Sequence, residues 1–310
     1  MKAYLLYQPG PLAELVLTDI PKPQITSGEA LIKVKAIGIN PVDAGIKKVP
    51  ELLNQLLGTE RPVIIGWDVA GEIVEIKDAF AGFKVGDAVI VLSNGKAYAE
   101  YVAVPTSTLA HKPENISFEE GAGMPIAGMT AWQALANMMN IQEGDKVLIH
   151  GGAGGVGHYG IQIAKYLRAK VVTTISEKNR NFVLSLGADL IIDYHTKKFE
   201  EVLKDMDFVL DTIGGETLMR SLEVVKPGGK VVTVCPPITE AHKIKALEKN
   251  VDLVLSMSQA TVEDFRKFVE LMGRGVIKTH VAAIFPFEKM SEAHDAVATR
   301  RTAGKIVVKL

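Results

Sequence analysis

Apolar positions follow two rhythms along this chain of 310 residues. From Lys2 to about Phe118, short apolar runs such as Leu31 to Ile37, Val69 to Ile76 and Asp87 to Leu92 are broken by glycine and proline turns, which predicts a compact β domain. Ser117-Phe-Glu-Glu120 has the spacing of a helix N-terminal capping box, and beyond it the rhythm changes. Apolar strands at Lys146 to His150, Lys170 to Ile175, Leu190 to Asp193, Phe208 to Asp211, Lys230 to Val234 and Val251 to Leu255 alternate with helical segments. That alternation predicts an α/β domain with a doubly wound parallel sheet. After Ser258 come a helix from Val262 to Gly273, an extended run from Val281 to Phe285, a helix from Met290 to Thr299 and a last strand from Lys305 to Leu310. This tail is expected to rejoin the first domain, so the predicted units are 1–118 completed by 259–310, and 119–258. Lys47 to Arg61 carries no readable pattern, and no repeat or low-complexity tract is present.

One segment adds chemistry to this outline. Between the strand ending at His150 and a helix expected to run to Arg168 lies a turn that is nearly all glycine. Within it Gly152-x-Gly154-x-x-Gly157 fits the dinucleotide fingerprint. The first glycine serves the tight turn, the second lets backbone approach a pyrophosphate, and the third lets helix and strand pack closely. The backbone through Gly152, Gly154, Gly155, Val156 and Gly157 would present unpaired N–H groups to the phosphates.

Composition narrows the classes of function. Lys plus Arg number 35 against 36 Asp plus Glu, a formal net charge of -1, so nothing in the balance favours nucleic acid or an anionic membrane. The polar start Met1-Lys-Ala-Tyr-Leu-Leu-Tyr-Gln-Pro-Gly10 does not read as a signal sequence, and no apolar run has the length of a membrane span. A single cysteine, Cys235, permits no internal disulfide and fits a reducing cytoplasm.

The chain resembles the zinc-free branch of the medium-chain dehydrogenase/reductase family, the quinone oxidoreductase-like proteins. The likeness is sharpest from Gly144 to Lys165, where Gly154-Gly155-x-Gly157 is followed by Gln162 and Lys165. It is supported by Gly38-x-Asn40-Pro-x-Asp43, Gly86-Asp87-x-Val89, Gly128-Met-Thr130-Ala-Trp132, Leu186-Gly-Ala-Asp189, Pro227-Gly-Gly-Lys-Val231 and Gly304-Lys-Ile-Val307. The resemblance implies a GroES-like β-barrel catalytic domain, a Rossmann domain and a cleft between them. It also implies a homodimer paired through the last Rossmann strand, Val251 to Leu255, which would otherwise be an exposed apolar edge.

No zinc is expected. Where zinc-dependent relatives carry a cysteine this chain has Asn40, and Gly66-Trp67-Asp68 replaces their Gly-His-Glu. Its histidines, His111, His150, His158, His195, His242, His280 and His294, show no paired spacing, and each reads as a surface or loop residue rather than a ligand. Without a Lewis acid from the protein, a hydride acceptor has to be electrophilic already, such as a quinone or an α,β-unsaturated carbonyl.

In family register Ile175 ends the second Rossmann strand, where an NAD-binding unit usually has Asp or Glu on the ribose. Ser176, Lys178 and Arg180 follow at once, and Tyr194 falls where NADP-using relatives resemble one another in carrying a tyrosine, so NADPH is favoured. A shift of two residues would bring Glu177 to the ribose and restore NADH. Other cofactor contacts implied are Thr130 at the start of a helix, Thr212 and Cys235 at strand ends, and Lys305 toward a phosphate.

The resemblance places Asn40, Asp43 and Trp67 in the catalytic pocket. Asn40 either donates to a carbonyl gaining negative charge or simply forms a turn before Pro41. Asp43 either lines the pocket or caps backbone N–H groups, and Trp67 is either an apolar wall for a flat substrate or core packing. Gly45 stands where some relatives have a tyrosine, which removes one candidate proton donor. The reaction so read is NADPH-dependent reduction of a quinone or enone. An enoyl-thioester or alkenal reductase and a non-catalytic NADPH-binding regulatory protein are the alternatives.

Overall fold

The computed structural model describes residues 1–78, 82–256 and 260–310. The first seven strands are β1 (Lys2–Leu6), β2 (Leu15–Asp19), β3 (Glu29–Ile39), β4 (Asp68–Ile76), β5 (Ala88–Leu92), β6 (Tyr101–Pro105) and β7 (Leu109–His111). Six further strands follow: β8 (Lys146–His150), β9 (Lys170–Ile175), β10 (Leu190–Asp193), β11 (Met206–Asp211), β12 (Val225–Thr233) and β13 (Asp252–Leu255). The tail supplies β14 (Val281–Pro286) and β15 (Lys305–Lys309). They divide into two compact units, 1–126 with 265–310, and 127–264.

In the first unit β1 and β2 form an antiparallel hairpin, while a larger sheet runs β14-β15-β3-β4-β5-β7. β3 is its spine. The first half of β3 pairs with β6 and the second half with β15, both antiparallel, so the C-terminal tail does return to the β domain. Ile32, Ile37, Ile39, Val69, Ile73, Val89 and Val91 fill the interior. Lys47 to Arg61, unreadable in sequence, contains the helix Pro50–Leu57, with proline in its first turn and Leu53 buried.

The unit boundary lies beyond Phe118 for a physical reason. Ser117 caps the short helix Phe118–Ala122, its hydroxyl accepting from the Glu120 N–H at 3.0 Å. The helix then packs Ala122 and Phe118 against Ala36, Ala70 and Val307 of the β domain. The other expected changeover, at Ser258, lies outside the described residues.

In the second unit the described residues form a parallel sheet in the order β10-β9-β8-β11-β12-β13. This is the Rossmann doubly wound order, with its switch point between β8 and β11. Strands buried on both faces explain the near-continuous apolar runs, Val147, Leu148 and Ile149 in β8 among them. The helix after β8 runs Gly157–Tyr166 and stops short of Arg168, whose φ of 64° is incompatible with continuation.

Candidate functional site

The carboxyl ends of the parallel strands gather most of the sequence-predicted cofactor residues. Gly152 to Gly157 follow β8, Ser176 and Lys178 follow β9, Tyr194 follows β10, Thr212 follows β11 and Cys235 lies two residues past β12. Ligands of open α/β sheets lie at this edge.

The loop after β8 is shaped by what it excludes. A Cβ on Gly152 would stand 2.0 Å from Thr173 Oγ1, and one on Gly157 would stand 2.2 Å from the Gly151 carbonyl oxygen. Both positions therefore require glycine for close approach, and the first turn of the helix comes down directly over the loop. Contrary to the expectation of unpaired amides throughout, the Gly152 and Gly154 N–H groups donate to the Thr174 and Gly151 carbonyls, so the cradle that fits a pyrophosphate is made by the amides of Gly155, Val156 and Gly157 at the helix entrance.

Neighbouring side chains hold this cradle. Thr212 Oγ1 donates to the His150 carbonyl at 2.7 Å, tying the end of β11 to the end of β8 across the switch point. Buried Asp211 accepts from the Ile213 and Gly214 N–H groups at 3.1 Å and from Thr233 Oγ1 at 2.7 Å. Thr233 Oγ1 in turn accepts from the Cys235 N–H at 3.1 Å. One carboxylate thus fixes two adjacent loops. The sequence reading missed Asp211, although it stands next to Thr212, which was read as a cofactor contact at a strand end.

His150 is buried beneath the cradle between Thr174 Oγ1 and Ser221 Oγ, each at 2.9 Å. Ser221 donates its own proton to the Thr217 carbonyl, so His150 Nε2–H is the donor to Ser221, and Nδ1 accepts from Thr174. Burial pushes its pKa down to about 4, which keeps the ring neutral. His158, His242 and His294 are also buried, and this corrects the reading of the histidines as surface or loop residues. An imidazole whose nitrogens find partners behaves as a core residue, and the partners lie far away in sequence.

Thr130 is buried in the last turn of the helix Pro125–Trp132 rather than at its start, because Pro125 opens that helix. Beyond it the chain continues as a π-helical stretch, Gln133–Met138.

The predicted catalytic residues lie in the β domain, where Asn40 and Asp43 belong to a buried polar network. Asn40 Nδ2 donates to Asp68 Oδ2 at 2.9 Å, and its Oδ1 accepts from Lys305 Nζ. Lys305 also donates to the Ile39 carbonyl at 3.2 Å and lies 3.9 Å from Asp68. The second Asp68 oxygen accepts from the Ile126 N–H at 2.9 Å. Asp43 Oδ2 accepts from the Asn40 N–H at 2.8 Å and the Tyr98 hydroxyl at 2.9 Å. The Tyr98 oxygen lies 2.9 Å from His294 Nε2. Since the one Tyr98 proton goes to Asp43, the imidazole Nε2–H is the donor there.

Every member of this network is buried, and the electrostatics follow from that. Burial, with repulsion from Asp68, pushes the Asp43 pKa up to about 7. Burial raises Asp68 to about 6 against the opposing pull of Lys305, whose own pKa burial lowers. His294 is pushed down to about 3, again by burial. Among the described residues, Asp43 Oδ1 and His294 Nδ1 have no hydrogen-bond partner.

One expectation is corrected here. Lys305 does not reach toward a phosphate, because its ammonium is buried and bound to Asn40 and Ile39 inside the β domain. The Asn40 amide is engaged on both sides, one N–H donating to Asp68 and the oxygen accepting from Lys305. Asp43 takes the capping role named as one of its two readings. Trp67 is partly buried against the β-domain core, while its carbonyl accepts from the Ser93 hydroxyl at 2.8 Å.

Two family models match the chain, the second of them running across the boundary between the two units. Residues 26–114 match the model of the alcohol dehydrogenase GroES-like domain, and residues 186–308 that of a zinc-binding dehydrogenase domain. The chain is 33% identical to a chloroplastic quinone-oxidoreductase homolog of Spinacia oleracea, over 94% of this chain and 92% of the relative. It belongs to the quinone oxidoreductase-like branch of the medium-chain dehydrogenase/reductase family. A second family member, the chloroplastic NADPH-dependent alkenal/one oxidoreductase of Arabidopsis thaliana, is also 33% identical, over 99% of this chain and 79% of the relative. Among solved structures, the quinone oxidoreductase from Coxiella burnetii superposes with a TM-score of 0.91 at 32% identity, covering 100% of this chain and 99% of that one. Membership makes the chain an oxidoreductase. No helix among the described residues is long and apolar enough to cross a membrane.

Proposed function

We propose that this chain is an NADPH-dependent, zinc-independent reductase of quinones or α,β-unsaturated carbonyls. The observation that carries the reading is the glycine loop after β8, where the Thr173 side chain at Gly152 and the Gly151 backbone at Gly157 leave no room for a Cβ. The named activities of the spinach and Arabidopsis relatives support the acceptor class. Bound at the cradle, the nucleotide supplies a hydride to an electrophilic carbon of the acceptor.

The chain's own contribution is binding and positioning. Loop amides after β8 take the pyrophosphate, while Asp211 and Thr212 fix the neighbouring loops before anything binds. With the Asn40 amide engaged inside the β domain, stabilising the oxygen that gains charge falls to a backbone N–H, and water supplies the proton. The β-domain residues do not fit a zinc ion, since the Asp68 oxygens are taken by Asn40 and Ile126 and the Lys305 cation lies 3.9 Å away.

Rapid mixing of NADPH with the purified chain and a panel of quinones and alkenals, with chelator present, is expected to show oxidation of the nucleotide. Elemental analysis is expected to find zinc far below one per chain. Tight nucleotide binding with no turnover on any acceptor would favour a non-catalytic NADPH-binding protein instead, and stoichiometric zinc would overturn zinc independence.

The edge strand β13, with Leu253, Val254 and Leu255 partly buried, supports a homodimer formed by edge pairing. Sedimentation at micromolar concentration should give a dimer, and a monomer would remove this reading. The lone cysteine supports a reducing compartment such as the cytoplasm.

A further inference from the structure

Asn94-Gly95 is the only place in the sequence where glycine follows asparagine. It sits in the loop after β5, with Asn94 exposed. Asparagine is a thermolabile side chain, and its lifetime is set by the access of the next backbone nitrogen to its amide carbon. Among the described residues the Asn94 side chain makes no hydrogen bond, and the Gly95 N–H donates to no acceptor. At three other exposed asparagines, Asn115, Asn140 and Asn250, the next nitrogen belongs to Ile116, Ile141 or Val251, whose branched side chains crowd it. That nitrogen is also engaged, donating to the Pro113, Leu135 and Ala246 carbonyls at 3.4, 3.3 and 2.9 Å.

We propose that Asn94 is a site of spontaneous covalent modification, ageing through a cyclic imide to aspartate and isoaspartate. The Gly95 nitrogen gives up its proton and bonds to Asn94 Cγ, while the Cγ–Nδ2 bond breaks and the amide nitrogen leaves as ammonia. Water then opens the ring, and no oxidant or further reactant is needed. Cleavage of the Cγ–N bond restores the ordinary main chain as aspartate. Cleavage between that nitrogen and the Asn94 main-chain carbonyl carbon sends the chain through Cγ as isoaspartate, one backbone atom longer.

The fold keeps glycine at this position. Gly95 has a φ of 97°, and a Cβ there would stand 2.5 Å from Leu57 Cδ2. The loop is also anchored on both sides to the segment that carries Trp67. The Ser93 N–H donates to the Trp67 carbonyl at 2.9 Å, the Lys96 N–H to Ile64 at 3.2 Å and the Ala97 N–H to Gly66 at 3.2 Å. The Ser93 hydroxyl lies 3.0 Å from the Gly95 carbonyl as well. An added backbone atom between Ser93 and Lys96 displaces these anchors, so isoaspartate loosens the Trp67 segment, whereas aspartate only adds a charge.

The test is incubation of the full chain in mildly alkaline buffer, where hydroxide removes the Gly95 proton more often, followed by peptide mass mapping with electron-transfer fragmentation. Asn94 is expected to convert from amide to acid, faster with each rise in pH, while Asn115, Asn140 and Asn250 keep their amides. Asn94→Ser is expected to abolish the change at this loop. An Asn94 amide that survives in the folded chain under conditions that convert a free peptide spanning residues 91–98 would overturn the proposal. After chromatographic separation, the isoaspartate form is expected to show shifted tryptophan emission relative to fresh Asn94→Asp, which carries the charge without the extra atom. Identical emission would overturn the loosening of the Trp67 segment.

Discussion

Gly157→Ala is expected to abolish nucleotide binding while leaving the β domain folded. The new Cβ would stand 2.2 Å from the Gly151 carbonyl oxygen and 2.8 Å from the Gly152 Cα, so backbone meets backbone and no rotamer change relieves the clash. The first turn of the helix Gly157–Tyr166 must lift away from the loop, and the N–H groups aimed at the pyrophosphate move with it. A displacement approaching 1 Å at a preorganised site costs on the order of a hundredfold, and loss of affinity on that scale is expected for both NADPH and NADH. Fluorescence titration reads the affinity, and far-ultraviolet circular dichroism shows whether the sheet persists. Near-native affinity in a folded Gly157→Ala chain would mean that the pyrophosphate is held elsewhere.

That loop was legible because its information is local. A strand, a glycine turn and a helix within about twenty residues carry their own geometry, and the same holds for the Ser117 to Glu120 cap. The return of the tail was legible for a related reason, since a strand and helix pattern resumes after the parallel sheet ends. The buried network of the β domain was not. Asn40 and Asp43 announce a turn in sequence, but what they do depends on Asp68, Tyr98, His294 and Lys305, brought together by five separate segments. No spacing encodes a hydrogen bond between residues 98 and 294. Lys305 was misread for the same reason: an exposed lysine and a buried one look identical until the strand that carries it is paired with β3. Glu177 and Arg180 lie three residues apart and pair across one turn after β9, as that spacing allows.

The buried network makes a pH-dependent contribution to stability whose sign can be worked out. Asp43 has a pKa of about 7 in the folded chain against an ordinary value of 3.8, because burial and the Asp68 charge oppose its ionisation. Below the ordinary value the carboxyl is protonated in folded and unfolded chains alike, and its full contribution to stability is present. As pH rises from about 4 through about 7 the unfolded chain releases the proton first, so that contribution is progressively lost. Asp68, raised to about 6, acts in the same direction, and the two carboxyls lose their protons in steps shared between them. Paired surface carboxylates such as Asp189 and Asp207, held below their ordinary range by lysines, slope the opposite way, so the whole-protein curve hides the effect. The difference curve exposes it. Asp43→Asn keeps an oxygen that can accept from the Asn40 N–H and the Tyr98 hydroxyl, and its stability relative to wild type should rise steadily from about pH 4 to about pH 7.

Removing the cation should do the reverse, and more strongly. Lys305→Met leaves Asp68 buried without its counter-charge, a change that typically costs about 3–5 kcal/mol, with the larger losses where the carboxylates are ionised. Adding Asp68→Asn to Lys305→Met removes the stranded charge and should recover part of the loss, which separates electrostatics from the packing lost with the lysine stem. Urea unfolding at a series of pH values, with the slope against denaturant held constant between variants, measures wild type and all three variants. A flat difference between wild type and Asp43→Asn across that range would mean that Asp43 titrates as it does in the unfolded chain. A Lys305→Met chain as stable as wild type would mean that the buried ammonium does not offset the Asp68 charge.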